Sequence, residues 1–412
     1  MRATSLLKKL LGMKSLVVEG FEVIDEGLAI DVKPRWLRVR CGGCGRRCSQ
    51  YDRRAARRWR HLDFGGVQIW LRYAPRRGNC PGCGVRVEQL PWTCWSRSRY
   101  TTAFEDAVAF LTQRCDKSSV EQTMRMSWRS VGAVVERVVG RRHGEDRLAG
   151  LRHIGIDELS YRKGHRYITL VVDQDTGMPV WAADGKNAET LGAFFDELGP
   201  ERCQLIKAVS IDMSQAYIKA VRSKVPHAQI VFDRFHVQKL VNEAVDETRR
   251  EEWRRLRELD KDQAKSVKGL RWPLLKNTWN LTPAQSERLS TLQRDNKRLY
   301  RAYLLKQSFA AILDRRQPNV VTRMLQDWCG WAARSRLPAF VKVARTIRKH
   351  LDDIVAYIRW RLTNGLVEGI NGKARVLTRR AYGFHSPQAL IAMIMLCCTN
   401  IWIAPPRVRL AK

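Results

Sequence analysis

The sequence lacks any uninterrupted apolar run long enough to cross a bilayer, which takes about 20 residues. Its most apolar stretch, ALIAMIMLCCTNIWIA (389–404), is shorter and carries Thr399 and Asn400. Ser386 as N-cap and Pro387 at the first helical position make that stretch a buried C-terminal helix. At the other end, MRATSLLKKLLGMKSL lacks a signal-peptide core, because Lys8 and Lys9 interrupt the leucines. Acidic residues are scarce: 41 Asp and Glu stand against 75 Lys and Arg, a net charge of +34. The excess runs along the whole chain, which argues against a generally basic housekeeping enzyme and for a polyanionic partner, nucleic acid first and an anionic membrane second. A disulfide framework is also lacking. Four of the eleven cysteines are spaced for a metal, which fits a reducing cytoplasm.

What is there suffices for two or three domains: 412 residues, 44% of them hydrophobic. Near the N-terminus, CGGC (41–44) and CPGC (80–83) are each followed by a glycine, Gly45 and Gly84. Two residues between cysteines let both thiolates face one ion, and glycine permits the tight turn that aims N–H groups at sulfur. Cys41, Cys44, Cys80 and Cys83 therefore predict one tetrahedral Zn²⁺ site. Four thiolates leave no open position for water, so its role is structural. Cys48 and His61 are alternative ligand positions, better read as an incidental thiol and a packed or phosphate-facing imidazole. Between the knuckles the chain alternates like a hairpin around Gly65-Gly66. Arg53, Arg54, Arg57, Arg58 and Arg60, then Arg76 and Arg77, lie among Tyr51, Trp59 and Trp70 and are expected to contact DNA phosphates.

FEDAVAFLTQRC and then SSVEQTMRMSWRSVGAVVERVV show apolar residues at helical spacing, with a break near Met126. Ser127 caps the second helix of that pair, and Val131, Val134, Val135 and Val138 form its buried stripe. Trp128, Arg129, Ser130, Ala133 and Arg137 are left nearer the open face. This is the pattern of a helix-turn-helix whose recognition helix presents its N-terminal end to the major groove.

From residue 151 the pattern is α/β. Strands are expected at 153–157, 165–172 and 178–183, a helix at 188–198, a strand at 206–212, a helix at 214–223 and a strand at 228–232. Three strands in a row followed by alternating strands and helices is the order of an RNase-H-like domain. HIGID stops at Asp157 and AVSID at Asp212. In that fold the first and fourth strands lie side by side, about 4.8 Å apart, so the two carboxylates converge. Converging carboxylates in a basic protein suit Mg²⁺ or Mn²⁺. A third acid is expected on a helix over LTNGLVEGINGKARVLTRR (362–380). Leu366, Ile370, Ala374 and Leu377 form its apolar face, and Asn364, Glu368, Asn371 and Arg375 the opposite one. Gly369 and Gly372 cost helix stability and would admit a close neighbour such as a DNA backbone. Asp173, Asp175 and Asp184 read as turn residues, and Glu158 as a neighbour of Asp157 on the other side of the pleat. The hairpin with Arg162, Lys163 and His165 would lie near a passing phosphate backbone.

The paired cysteine knuckles, the helix pair, GIDE, SIDMSQAY, FDRFHV and NGLVEGINGKAR occur in this order, and nearly the whole chain resembles bacterial insertion-sequence transposases of the ISL-three family. The resemblance implies an Asp-Asp-Glu transposase with the triad Asp157, Asp212 and Glu368. These acids are 55 (212 − 157) and 156 (368 − 212) residues apart. The second gap implies a helical insertion. The expected layout is a zinc module (1–97), a helix-turn-helix (98–150), a catalytic domain (151–237), an insertion (238–350) and the last catalytic part with the Glu helix (351–412). Asp233 and His236 in FDRFH match a family motif, with His236 either facing phosphate or packing beside a helix cap. The implied reaction uses two Mg²⁺ or Mn²⁺ ions, roughly 3.5–4 Å apart, to free a 3′-OH at the element end and join it to target DNA. Implied partners are double-stranded DNA (terminal inverted repeats and target) and a second protomer or larger assembly. Asn364, Asn371, Lys373 and Arg375 join the DNA-contact set. Two other readings stay open: a DNA-binding regulator without catalysis, and a structure-specific nuclease on the same fold.

Overall fold

A computed structural model describes residues 2–405 apart from Trp95, Ser96, Gly144, Lys163, His165 and His385. The chain forms two compact units, one from residues 1–144 and 377–412 and one from residues 145–376. Among the described residues, no helix is long and apolar enough to cross a membrane.

The first unit opens with α1 (Ala3–Leu11), which buries Leu7 and Leu11 and ends at Gly12 with φ 63°. Strands β1 (Leu16–Ile24) and β2 (Gly27–Pro34) form an antiparallel hairpin. The short β3 (Val39–Arg40) and β4 (Arg47–Arg53) follow, then β5 (Arg57–Phe64) and β6 (Val67–Tyr73). As expected, β5 and β6 turn at Gly65-Gly66, with Phe64 opposite Val67. β7 (Arg76–Cys80) and β8 (Gly84–Val87) complete two four-stranded sheets, ordered β1-β2-β6-β5 and β3-β4-β7-β8. Leu16, Ile30, Trp59, Ile69, Leu71 and Trp92 form the core of the first sheet.

The β1–β2 hairpin was not anticipated from the sequence. Its turn is Asp25-Glu26-Gly27, and Gly27 has φ 141° where a Cβ would meet the Gln68 carbonyl at 2.2 Å. That turn chemistry was the available signal.

Three helices follow: α2 (Thr102–Thr112), α3 (Lys117–Met124) and α4 (Trp128–Arg142). Each starts at a side-chain cap: Thr101 accepts from the Phe104 N–H, Asp116 from Ser119 and Ser127 from Ser130. The buried residues of α4 are Val131, Val134, Val135 and Val138, the expected stripe.

In the second unit, β9 (His153–Arg162), β10 (Arg166–Asp173) and β11 (Met178–Asp184) form an antiparallel meander. Then come α5 (Ala188–Leu198), α6 (Pro200–Cys203), β12 (Ala208–Ile211), α7 (Gln215–Lys224) and β13 (Gln229–Phe232). The strand order is β11-β10-β9-β12-β13, with β12 parallel to both β9 and β13. The expected elements are all present. Two boundaries at the acids differ: β9 does not stop at Asp157 but continues to Arg162, because β10 stays paired with it beyond the end of β12, and β12 spans only Ala208–Ile211 rather than 206–212, which leaves Asp212 just past its end.

The long gap between acids is helical. It holds α8 (Arg234–Leu259), α9 (Lys261–Lys268), α10 (Arg271–Leu275), α11 (Pro283–Asp295), α12 (Lys297–Leu313), α13 (Pro318–Arg334), α14 (Pro338–Lys349) and α15 (Leu351–Trp360). One apolar core runs from the sheet (Ile156, Val209, Phe232) into these helices (Phe309, Trp328, Phe340). α16 (Gly365–Arg380) follows, and α17 (Pro387–Cys398) has Ser386 as its cap, accepting from the Ala389 N–H. From residue 377 onward the chain packs in the first unit, with α17 against α4, whereas the sequence reading grouped 351–412 with the catalytic part.

Candidate metal centres and nucleic-acid interface

Cys41 follows β3, Cys80 ends β7 and Cys83 precedes β8, so the second sheet of the first unit brings the two knuckles face to face. The sulfurs of Cys41, Cys44, Cys80 and Cys83 all lie within 4.8 Å of one another. Gly45 and Gly84 take φ 72° and 69°, the left-handed turns that close each knuckle. The Gly43 N–H donates to Cys41 Sγ at 3.4 Å. Burial opposes ionisation of Cys41, but the N–H groups of Cys44 and Gly43 outweigh it and hold the thiol at about 7. Cys83 is pushed up to about 12, first by its contacts with Cys44 and Cys41. Four sulfurs this close ionise together only around a cation, and the set fits a closed structural Zn²⁺ site. Cys48 and His61 lie outside it. The Cys48 thiol points at the Val39 carbonyl, 3.9 Å away. His61 Nδ1 bonds Thr101 Oγ1 at 2.9 Å, and burial, helped by the Arg60 charge, pushes its pKa down to about 4.

The second centre lies on the five-stranded sheet. Ala208, Val209 and Ser210 pair with His153, Ile154 and Gly155, an offset of 55 residues (208 − 153). The same offset separates Asp212 from Asp157; the pairing stops at Ser210, and Asp212 lies one residue past the end of β12, near enough for its charge to act on Asp157. Asp157 Oδ1 accepts the Glu158 N–H at 2.8 Å, and Oδ2 accepts Asn371 Nδ2 at 2.8 Å. Burial raises the Asp157 pKa, and the nearby charges of Asp212 and Glu368 add to the effect. Asp212 Oδ1 accepts the Ser214 N–H at 2.9 Å. Glu368 is exposed on the first turn of α16, its N–H bonded to the Asn364 carbonyl at 2.7 Å. Among the described residues, only the four cysteines gather their ligand atoms within 4.8 Å; the three carboxylates are more loosely set. Burial also raises the Glu158 pKa, and Lys186 lies 3.8 Å from it.

Asp233 is the N-cap of α8 and is buried. Its Oδ2 accepts the Phe235 N–H at 3.1 Å and its Oδ1 the Asn364 N–H at 3.2 Å. His236 Nδ1 stands 3.3 Å from Asp233 Oδ2, an ion-pair distance off the line of a hydrogen bond. Asp233 raises the His236 pKa, with further help from the charges of Asp157 and Asp212. Burial opposes ionisation of Asp233, but His236 and the Asn364 N–H more than offset it and lower its pKa.

Several residues expected at the DNA surface are used inside the protein. Asn364 and Asn371 are 0% and 3% exposed, because they bond Ser210 and Asp157. The buried face of α16 is accordingly Val367, Ile370, Asn371, Ala374 and Leu377, while Leu366 is exposed. Arg137 is turned back to the buried Glu105 at 2.8 Å. Arg60 and Arg76 are buried with Asp63 and Glu88. Arg53, Arg54, Arg129, Lys373 and Arg375 are exposed. Arg58 is exposed, pairing with Glu26 at 3.1 Å and lying over the Trp70 ring. Arg57 is half-buried and donates to the Ser98 carbonyl at 2.6 Å. Trp128 is half-buried under the Lys117 ammonium, and Ser130 is half-buried beside its cap Ser127. Arg162 ends β9, while Lys163 and His165 lie outside the described residues.

Gly155 and the two asparagines were not singled out for packing from the sequence. A Cβ on Gly155 would sit 2.2 Å from Gln174 Nε2 and 2.8 Å from Val367 Cγ2. A glycine inside an apolar strand marks such a close approach, so the signal was present in Ile-Gly-Ile.

Comparison with known proteins agrees with this arrangement. Residues 154–394 match the ISL3 DDE family described as "Transposase", and residues 37–83 match the "zinc-finger of transposase IS204/IS1001/IS1096/IS1165". The chain is 41% identical over 426 aligned positions, 96% of each chain, to the transposase for insertion sequence element IS1557 of Mycobacterium tuberculosis, in strains CDC 1551 and H37Rv. It is 32% identical over 363 positions, 88% of this chain and 89% of the relative, to the transposase for insertion sequence element IS1001 of Bordetella parapertussis. With the family covering the acid-bearing sheet and the cysteine module alike, the chain belongs to the ISL3 family of transposases.

Proposed function

We propose that this protein binds the terminal inverted repeats of its insertion sequence, cleaves the strand at the element end to expose a 3′-OH, and joins that hydroxyl to target DNA. Asp157, Asp212 and Glu368 are the catalytic acids. The observation that carries this reading is the parallel pairing of β12 with β9 just ahead of Asp212 and Asp157, with the helix bearing Glu368 bonded to Asp157 through Asn371. The strand order, an antiparallel meander followed by two parallel strands, supports an RNase-H-like fold.

The three acids are an all-oxygen donor set with room for further ligands, which fits Mg²⁺ or Mn²⁺. Two such ions, when bound, supply Lewis-acid activation of water and neutralise charge on the leaving oxygen. The protein's own groups do the positioning. Two N–H donors fix the Asp157 carboxylate, and Asp233, with further help from the charges of Asp157 and Asp212, raises the pKa of His236. Water attacks the phosphodiester at the element end and releases a 3′ hydroxyl. That hydroxyl attacks a target phosphodiester, forming one P–O bond as another breaks. No protein nucleophile enters either step.

The zinc module and the α3–α4 helix pair, read as a helix-turn-helix, would hold the inverted repeats. Arg129 at the start of α4 is exposed for base contact. Arg53, Arg54 and Arg58 bind phosphates, which makes affinity strongly salt-dependent. Two ends must be processed together, so a dimer or larger assembly acts on DNA in the bacterial cytoplasm. The test is Asp157→Asn: binding of an inverted-repeat duplex should survive while cleavage and strand transfer vanish. Cleavage at the wild-type rate would overturn the assignment.

A further inference from the structure

α16 holds two buried asparagines, Asn364 at its start and Asn371 one turn beyond Glu368. We propose that Asn364 and Asn371 are positioning residues that fix Glu368 against Asp157 and Asp212. This inference rests on the assignment of those three acids.

Asn371 spans the gap between helix and strand. Its amide N–H reaches Asp157 Oδ2, while Oδ1 of that carboxylate is held by the Glu158 N–H. The carboxylate is thus restrained at both oxygens, and one of the restraints comes from the helix that carries Glu368. Asn371 Oδ1 is buried without a hydrogen-bond partner among the described residues. An unmatched buried amide oxygen costs stability, and an apolar residue of the same size would avoid the cost. Stability therefore does not account for this amide, whereas orientation of Asp157 does.

Asn364 does the same at the helix start. Its Oδ1 accepts the Ser210 hydroxyl at 2.7 Å, two residues before Asp212. Its N–H donates to Asp233, and its carbonyl accepts the Glu368 N–H. One residue thus joins the strand of Asp212, the cap of α8 and the first turn of α16. Its Nδ2 is also buried and unmatched among the described residues. Gln174 Nε2 adds a bond to the Thr363 carbonyl at 3.1 Å. Asp233 gives Oδ1 to this mount, while its Oδ2 caps α8 at the Phe235 N–H and stands by His236.

The test uses full-length protein with Asn371→Leu, Asn371→Ala and Asn364→Ala. Three quantities are measured: binding of Mn²⁺ alone by electron paramagnetic resonance, single-turnover cleavage of an inverted-repeat duplex across Mn²⁺ concentrations, and the melting temperature. Groups that orient metal ligands typically matter by about 10- to 100-fold. Each variant should lose cleavage and Mn²⁺ affinity on that scale while duplex binding and melting stay near wild type. The alanine at 371 cannot clash, so it keeps the test valid if the leucine misfolds. Wild-type Mn²⁺ affinity and cleavage in the Asn371 variants, with Asp157→Asn inactive, would overturn the positioning role alone. So would a fall in melting temperature with unchanged Mn²⁺ affinity. An active Asp157→Asn would instead overturn the acid assignment beneath it.

Discussion

Asp212 lies one residue past the end of β12, and Asp157 lies two residues past Gly155, the last residue of β9 that pairs with β12. Asp157 is thus carried by a strand, while Asp212 is fixed just beyond one by its bond to the Ser214 N–H. Lengthening one side chain should disturb this placement. Asp212→Glu keeps the charge but moves the carboxylate by about one C–C bond, and a misplacement of that order costs about 100-fold in rate. Single-turnover cleavage of an end duplex measures it. A rate equal to wild type would show that Asp212 is not held to a fixed position by the chemistry.

Much of this was legible in the sequence, and the failures have a common cause. The valine stripe of α4, its Ser127 cap and the strand succession from His153 to Phe232 follow from local periodicity and capping, which a sequence displays directly. The cysteine knuckles are equally local. What stayed hidden depends on partners far along the chain. Asn371 looks like a surface residue until Asp157 lies beside it, 214 residues away. Arg60, Arg76 and Arg137 look like DNA contacts until Asp63, Glu88 and Glu105 claim them. A helical period sets which residues share a face. It does not say which face is inward when that face includes an amide with a specific partner.

Removing zinc should uncouple end recognition from the rest of the fold. The sulfurs of Cys41 and Cys80 are buried and joined to a sheet of short strands, so the ion is a large part of what holds that sheet. Cys80→Ser should abolish the one bound zinc and weaken end-duplex binding by about tenfold or more. Helical circular dichroism from the second unit should remain. A variant that keeps both its metal and its DNA affinity would contradict the structural-zinc assignment.

Gly155 allows α16 to lie against β9. Adding a methyl there forces contact with Val367, whose branched side chain is stiff at χ1. Overpacking of this kind costs about 1–3 kcal/mol, and the strain falls on the helix that carries Glu368. Gly155→Ala should lower the melting temperature and reduce cleavage more than end binding. Combining it with Val367→Ala restores space and should recover part of the cleavage. If the double variant cleaves no better than Gly155→Ala, steric pressure on α16 is not the cause.

His61 should make the first unit sensitive to mild acid. The ring is buried against Thr101, and burial holds its pKa at about 4, below the ordinary 6.5. A histidine with a depressed folded pKa is neutral in the fold but protonates in the unfolded chain. Its contribution is therefore fully present above pH 6.5 and is lost as pH falls from 6.5 to about 4. The full difference corresponds to an upper limit of about 3 kcal/mol, of which about 2 kcal/mol would be gone by pH 5. Urea unfolding of the zinc-loaded protein, followed by tryptophan fluorescence at pH 7.5 and pH 5, reads this loss. His61→Gln retains a polar partner for Thr101 but cannot titrate in this range. It should be less stable than wild type at pH 7.5 and lose less between the two pH values. An equal loss in both proteins would assign the acid sensitivity to other groups.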